Sequence, residues 1–269
     1  MLLPPVDITR PSVARVYDAG LGGKDNYEVD RAVLRTILAE SPDALVVARD
    51  NREWLVRVTR FLAGDAKVAQ FLDCGAGLPT AQNTHQVVQR LNPDATVVYV
   101  DNDPIVLTHG RAILAANDRT HLLAADLTNP ADLLADPEIQ RALDFSQPIA
   151  LLQIGTLHHC EDPEQIRTFM RRYADALPPG SYLAISHFHN PGTGEDGEAA
   201  ERTEAAMTKS PLGSGYFRSR EEIESFFAGL ELVEPGLVPA SEWWPDGPPT
   251  ESLIRPQRLF LAGLARKPM

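Results

Sequence analysis

Three acidic residues, Asp73, Asp101 and Asp126, each end an apolar run that the sequence predicts to be a β-strand. Gly75 and Gly77 follow the first of these acids at alternate positions, and a helical pattern then begins. Glycine lets the backbone adopt unusual dihedral angles and approach a ligand closely. The start of the following helix presents free amide groups to an anion. These residue types and their spacing predict a ligand site at the carboxyl ends of the three strands.

Two classes of nucleotide ligand share this plan. A dinucleotide site requires a third glycine where this chain has Thr80, and the carboxylate of Asp73 would repel a pyrophosphate. An acid at that point suits an amino group instead, and Asp101 can accept from both hydroxyls of a ribose. In such a fold we expect Asp126 near the adenine amino group, with Leu127 beside it as a backbone donor or packing surface. The pattern favours S-adenosylmethionine, with a nicotinamide-dependent oxidoreductase as the alternative.

Histidines follow the next two predicted strands. His158 and His159 come after the fourth strand, and His187 and His189 lie at the end of the fifth. Histidine is a common general base and a common metal ligand. We expect His158 or His159 to act as a general base, with packing of His158 against the cofactor as the alternative. No carboxylate or thiol spacing completes a ligand set, so no metal is predicted.

The elements that would hold these residues alternate between strand and helix from residue 67 onwards. Strands are predicted at residues 68–73, 95–101, 120–126, 148–155 and 180–188. Residues 230–236 and 258–267 are predicted to close the sheet as an antiparallel pair. This alternation is typical of an α/β fold with a mostly parallel, Rossmann-like sheet and helices on both faces. Ligands of such sheets bind at the carboxyl edge.

Residues 11–63 are predicted to be helical, so the chain divides into an N-terminal helical extension or lid, 1–66, and a cofactor-binding core, 67–269. Lys24 and Asn26 follow a glycine-rich stretch in the extension, and we expect them near the carboxylate of the cofactor. A helix stop followed by a solvated turn is the alternative. Arg52 interrupts an apolar helical stripe, and is expected to contact that carboxylate or to form a surface salt bridge.

The composition disfavours some classes of binding partner and cellular location. The 269 residues carry a formal net charge of −12, which disfavours binding to the phosphate backbone of nucleic acid. No apolar run of about 18 residues is present, and the first residues lack a basic region followed by an apolar one. We therefore expect a cytoplasmic protein without a membrane span. The two cysteines predict no disulfide framework, and the sequence leaves the oligomeric state open.

The chain resembles the class I S-adenosylmethionine-dependent methyltransferases and, more narrowly, a bacterial S-adenosyl methyltransferase family once described as a domain of unknown function. The matching segments cover residues 11–31, 48–57, 70–80, 97–114, 124–130 and 230–246. The resemblance implies the methyltransferase fold and the cofactor S-adenosylmethionine, with S-adenosylhomocysteine as product. We further expect Ala76, Asn102 and Gln153 to lie in the cofactor site. The family leaves the methyl acceptor open. The segment LLQIGTLHHCED, in which the fourth strand ends, keeps the Leu157-His158 pair of the family but differs from the family pattern around Gly155 and His159.

The resulting hypothesis is a methyltransferase that acts on a small molecule, through an oxygen, nitrogen or carbon atom. The chain lacks the Asn/Asp-Pro-Pro-aromatic motif that follows the fourth strand in enzymes that methylate adenine or glutamine amino groups. A cofactor-binding sensor or partner-binding protein without catalysis is the alternative. Trp243 and Trp244 are expected either to wall the acceptor pocket or to pack elsewhere in the core or at an interface.

Overall fold

A computed structural model describes residues 6–80, 82–114, 117–227, 229–247 and 252–269. Three helices precede the sheet: α1 (Val13–Gly20), α2 (Glu28–Glu40) and α3 (Leu45–Gly64). Ser12 caps α1, because its hydroxyl accepts a hydrogen bond from the amide of Arg15 at 3.3 Å. In α2 the apolar side chains at helical spacing, Val33 and Ile37, are the buried ones. The predicted N-terminal helices are therefore present.

The sheet has the predicted Rossmann-like arrangement. Its strands are β1 (Gln70–Cys74), β2 (Thr96–Asp101), β3 (Thr120–Ala124), β4 (Ala150–Ile154), β5 (Tyr182–Phe188), β6 (Glu231–Leu232), β7 (Val238–Pro239) and β8 (Phe260–Arg266). Their order is β3-β2-β1-β4-β5-β8-β6, with β7 also paired to β8. Strands β1 to β5 are parallel, and β8 runs antiparallel to β5, β6 and β7. The predicted fold class, including the antiparallel last strand, is confirmed.

Helices connect the strands and lie over the sheet. They are α4 (Thr84–Leu91), α5 (Pro104–Leu114), α6 (Pro130–Ala135), α7 (Pro137–Ala142), α8 (Pro163–Ala176), α9 (Gly194–Lys209), α10 (Arg220–Ser225) and α11 (Arg255–Arg258). Helices α6, α7 and α8 begin with proline, which has no amide hydrogen to leave unbonded at a helix start. Helix α9 belongs to none of the elements that the sequence pattern predicts.

The sheet has a buried core on each face. Strand alternation sends Leu72 and Leu151 into one core with α8, and Phe71 and Leu152 into the other with α3. Strands β1 and β4 are neighbours, whereas β2 and β3 lie on the other side of β1. Successive strands are thus added first on one side of β1 and then on the other, and this switch in strand order opens a crevice at the carboxyl edge between β1 and β4.

A smaller helical layer covers that crevice. Helices α1, α2 and α9 share a third apolar cluster, which includes Val16, Ile37 and Met207. A buried ion pair between Arg15 Nε and Asp30 Oδ2, 2.9 Å long, joins α1 to α2. Among the helices that the structure describes, none is both long and apolar enough to cross a membrane.

Candidate active site

The predicted glycine turn connects β1 to α4, and each of its two glycines is explained differently. Gly75 has a φ of +80°, and a Cβ there would lie 2.2 Å from Thr156 Cγ2, so neighbouring atoms exclude any side chain. Gly77 has a φ of +64°, but a Cβ there would meet no atom within 4 Å. The open space beside Gly77 lets a ligand approach the backbone directly.

Asp101, at the end of β2, closes the turn from the side. Its Oδ2 accepts a hydrogen bond from the amide of Gly77 at 2.9 Å, and its Oδ1 accepts one from the amide of Asp103 at 2.9 Å. Burial raises the pKa of this carboxyl group, although the backbone hydrogen bonds act in the opposite direction. Two amides thus fix the orientation of the carboxylate at the rim of the crevice.

Asp73 lies deeper, at the base of the turn. Its Oδ2 accepts a hydrogen bond from the Thr84 hydroxyl at 2.7 Å. Burial raises the pKa of Asp73 to about 6, and the attraction of Arg52 only partly offsets that effect. The carboxylate is therefore poorly compensated by the protein, which is the environment that would favour a cationic ligand group.

A cavity of about 790 Å³ extends from the glycine turn into the space beneath α1, α2 and α9. Most of the sequence-predicted site residues line it: Arg52, Asp73, Gly75, Ala76, Gly77, Thr80, Asp101, Asn102, Leu127, His158 and His159. Arg52 reaches the turn from α3, and its Nη2 donates to the carbonyl of Gln82 at 2.7 Å. Burial lowers the pKa of this guanidinium group.

Four predicted site residues do not line the cavity. Lys24 is exposed, and Asn26 Nδ2 donates to Asp18 Oδ2 at 2.8 Å, within a turn that follows α1. Strand β3 ends at Ala124, two residues earlier than predicted, so Asp126 lies in the next turn and accepts from the amide of Thr128 at 2.8 Å.

Gln153, the fourth of these residues, is fully buried in β4. Its Oε1 accepts from the Thr156 hydroxyl at 2.8 Å, and its buried Nε2 has no hydrogen-bond partner among the described residues. Gln153 thus supports the loop that carries Thr156 from behind the cavity.

The paired histidines form part of the cavity wall. His158 is buried, and its ring centroid lies 4.0 Å from that of Phe188. His159 Nδ1 lies 2.8 Å from the Ser214 hydroxyl oxygen. Burial lowers the pKa of His159 to about 4 and holds the pKa of His158 well below its usual value. Both imidazoles are consequently neutral at neutral pH.

The other two histidines lie away from the cavity wall. His187 Nδ1 contacts the carbonyl of Phe188 at 2.7 Å, and His189 Nδ1 contacts the carbonyl of Arg218 at 3.2 Å. The ring of His187 packs edge-on against that of His158, with 5.6 Å between their centroids. Across the described ranges, no group of three or more histidine, cysteine or acidic side chains has the geometry to hold a metal.

A hydrogen-bond chain at the base of the cavity was not predicted from the sequence. The Ser186 hydroxyl accepts from the amide of Gly155 at 2.9 Å and donates to Asn51 Oδ1 at 2.7 Å. Asn51 Nδ2 then donates to the Tyr17 hydroxyl at 3.2 Å, which donates to the carbonyl of Ala48 at 3.0 Å. The sequence signal for these hydrogen bonds is the polar pair at positions 51 and 52 within an apolar helical stripe.

The two adjacent tryptophans pack elsewhere in the molecule. Trp243 is fully buried against Trp54, with ring centroids 6.2 Å apart, and Trp244 packs edge-on against Phe61 at 4.8 Å. Neither lines the cavity. Of the two interpretations left open by the sequence, core packing is therefore the correct one for Trp243.

The residues around the turn fit the cofactor that the sequence suggests. The open backbone at Gly77 leaves room for a ligand tail, and the fixed carboxylate of Asp101 can accept from two ribose hydroxyls. The buried carboxylate of Asp73 is suited to an amino group. Arg52 and Leu127 also line the cavity beside the turn.

Comparison with known proteins agrees with this geometry. A family model described as S-adenosyl methyltransferase matches residues 2–268. A solved structure from Thermobifida fusca, provisionally assigned as a methyltransferase, is 45% identical and aligns over 98% of this chain and 97% of its own, with a TM-score of 0.92. A DUF574 family protein from Streptomyces avermitilis is 37% identical over 98% of this chain and 100% of its own, with a TM-score of 0.90.

A more distant structure shares the fold alone. Human N-acetylserotonin methyltransferase, solved with S-adenosylmethionine, is 16% identical and aligns over 94% of this chain and 62% of its own, with a TM-score of 0.51. No curated protein matches the chain.

Proposed function

The chain belongs to the S-adenosyl methyltransferase family, and from this premise we propose that it methylates a small molecule held in the 790 Å³ cavity. It is an S-adenosylmethionine-dependent methyltransferase whose acceptor is unknown. One observation carries the proposal: a single cavity extends from the glycine turn to the apolar cluster shared by α1, α2 and α9. Its volume lies within the range of about 300–1,000 Å³ that is typical of small-molecule sites.

We assign cofactor binding to the predicted residues that line the cavity. Asp101 would hold the ribose hydroxyls, and Gly75, Ala76 and Gly77 would keep the backbone close to the ligand. Asp73 would accept from the amino group. Arg52, Thr80, Asn102 and Leu127 complete the set.

The bound cofactor supplies a methyl group that its sulfonium already activates, so the protein mainly needs to orient the acceptor and exclude water. We assign proton removal to His159. When Nδ1 donates to the Ser214 hydroxyl, Nε2 carries the lone pair that can accept a proton from the acceptor. A weak base suffices, because an acceptor atom becomes more acidic as it gains the methyl group. His158 would pack against the bound ligands.

The first experiment separates the classes of ligand. Calorimetric titration with S-adenosylmethionine, S-adenosylhomocysteine and NAD should show binding of the first two only. Tight binding of NAD without a response to the other two would contradict the proposed cofactor site.

The second experiment tests the acceptor. A cell extract is separated into small molecules and macromolecules, and each fraction is incubated with the protein and a methyl-labelled donor. We expect label to enter the small-molecule fraction, and the His159→Gln variant to slow this transfer by about 100-fold or more while donor affinity is unchanged. Label in macromolecules alone would refute a small acceptor. Donor binding with no transfer to either fraction would favour a sensor.

A further inference from the structure

The cavity has two chemically different ends. At one end lie the glycine turn and the strand-end carboxylates. The other end, which we call the acceptor compartment, is formed by Val16, Ile37, Phe188, Met207, Phe217 and Leu259, which belong to one apolar cluster. These residues come from the helical layer, from β5 and from the segments that follow α9 and α11. The acceptor compartment is therefore built mainly outside the predicted strands.

The charged side chains that line the cavity fall into two groups, one at the glycine turn and one at the start of α1. The first group lies at the glycine turn and at the ends of the adjacent strands, and consists of Arg52, Asp73, Asp101 and Asp103. The remaining charged lining groups of the described residues, Asp7, Arg10 and Arg15, precede α1 or lie in its first turn.

Within that N-terminal segment, the guanidinium group of Arg15 makes three hydrogen bonds inside the protein, one of them to a carboxylate. Its Nε donates to Asp30 Oδ2 at 2.9 Å, its Nη1 donates to the carbonyl of Asp7 at 2.9 Å, and its Nη2 donates to the carbonyl of Arg10. The charge of Arg15 is therefore already paired with that of Asp30 within the protein. Transferring an ion from water into the acceptor compartment without a counter-charge would be strongly unfavourable.

Helix α9 contributes an uncharged polar group to the acceptor compartment. Thr203 lines the cavity from α9, and its hydroxyl donates to the carbonyl of Ala199 at 2.8 Å. Aromatic rings form one wall: Phe188 stacks on Phe217 with centroids 4.8 Å apart and planes 12° apart, and Phe260 meets Phe188 at 5.7 Å. Such a wall is suited to the face or edge of another ring.

We propose that the acceptor compartment binds an uncharged, ring-bearing compound whose methylated group is a hydroxyl. This inference rests on the proposed function and narrows its acceptor to one chemical class. A hydroxyl is uncharged at neutral pH and brings a proton that a neutral imidazole can accept. An aliphatic amine or a carboxylic acid of similar size would enter as an ion.

Three matched probes test the inference in protein saturated with S-adenosylhomocysteine: naphthol, naphthoate and naphthylmethylammonium. They share one ring system and differ in charge. Calorimetry at neutral pH should show naphthol binding at least about tenfold more tightly than either ion. Equal or tighter binding of an ion, or no binding of any probe, would overturn the inference. Failure of S-adenosylhomocysteine itself to bind would instead contradict the proposed function.

Two substitutions of similar size at one position refine the test. Thr203→Val removes only the hydroxyl and should keep the preference for naphthol. Thr203→Asp adds one carboxylate to the acceptor compartment and should shift the preference toward naphthylmethylammonium by about tenfold or more. Circular dichroism and thermal unfolding check that both variants fold. If Thr203→Asp does not fold, the wild-type comparison of the three probes decides. A folded Thr203→Asp variant with unchanged preference would contradict the inference.

Discussion

At the glycine turn, the carboxylates of Asp101 and Asp73 differ in their hydrogen-bond donors and in their burial. Asp101 accepts from two backbone amides and is half-buried, whereas Asp73 is almost fully buried and accepts from one hydroxyl. Asp101 is therefore fixed in position and accessible at the rim, whereas the buried carboxylate of Asp73 accepts fewer hydrogen bonds from the protein. This difference gives the two acids separate expected effects on cofactor binding.

Replacement of Asp101 by alanine should weaken S-adenosylmethionine binding by roughly 1–3 kcal/mol, because a hydrogen-bond acceptor for the ribose is lost. Isothermal titration calorimetry measures the change. Asp126→Ala is the matched control, because Asp126 is exposed and does not line the cavity, so its loss should leave the affinity unchanged. Equal losses in the two variants would rule out a specific role for Asp101.

Cofactor affinity should also depend on pH through Asp73. With its pKa raised to about 6, this group is a carboxylate above that pH and a neutral acid below it. Binding of a cationic amino group should therefore weaken as the pH falls through about 6. Titrations across this range test the effect, with Asp73→Asn as the control that should abolish the pH dependence. A flat profile in the wild-type protein would separate Asp73 from cofactor binding.

The same pKa has a consequence for stability. The folded protein binds a proton at Asp73 more tightly than the unfolded chain does, since burial raises this pKa from 3.8 to about 6. The stabilising contribution is present at low pH and is lost as the pH rises through about 6. Asp73→Asn should therefore raise the free energy of unfolding at alkaline pH by an amount on the order of 2–3 kcal/mol.

Denaturant titrations at two pH values measure this stability effect. The difference between Asp73→Asn and wild type should shrink well below the folded pKa, where both side chains are neutral. A variant that is less stable than wild type at alkaline pH would show that the charged Asp73 is better compensated than its burial suggests.

Among the elements, the β1–α4 turn depends on its glycines for two different reasons. Gly75→Ala should destabilise the fold by about 2–4 kcal/mol, because a left-handed backbone and a clash with Thr156 add together. Gly77→Ala should lower the free energy of unfolding by only about 1–2 kcal/mol, because it introduces the backbone strain without the clash. Chemical denaturation compares the two free energies of unfolding. Similar values would mean that Thr156 moves aside freely.

Considered as a whole molecule, helix α3 of the N-terminal segment shares a core with the sheet. Trp54, Leu55 and Leu62 of α3 pack in the same apolar cluster as Phe71 of β1 and Leu264 of β8. The functional division into an extension, 1–66, and a cofactor-binding core, 67–269, remains a proposal. This packing nevertheless implies that the two parts unfold together.

Equilibrium unfolding of the full chain should consequently show one transition. The three tryptophans cluster where α3 meets the segment before α11, so their fluorescence reports on that contact, while far-UV circular dichroism reports on the whole fold. The two signals should give the same denaturant midpoint. An earlier fluorescence midpoint would indicate that α3 detaches before the sheet unfolds.

The sequence by itself determined the sheet and the glycine turn. Strand alternation, glycine spacing and the acids at residues 73 and 101 are local patterns, because a strand's period and a turn's dihedral angles depend on neighbouring residues. Asp126 shows the limit of such patterns: it continues the series of strand-end acids in the sequence, but β3 ends before it.

Tertiary structure alone decided how the acceptor end of the cavity is built. Its wall joins residues of α1, α2, α9 and β5, which are far apart in the sequence. The hydrogen bonds that connect Tyr17, Asn51 and Ser186 also require α1, α3 and β5 to meet. The low pKa of His159 likewise follows from burial that the surrounding elements create. Local sequence carries no record of such contacts, because side chains far apart in the chain become neighbours only when the elements pack.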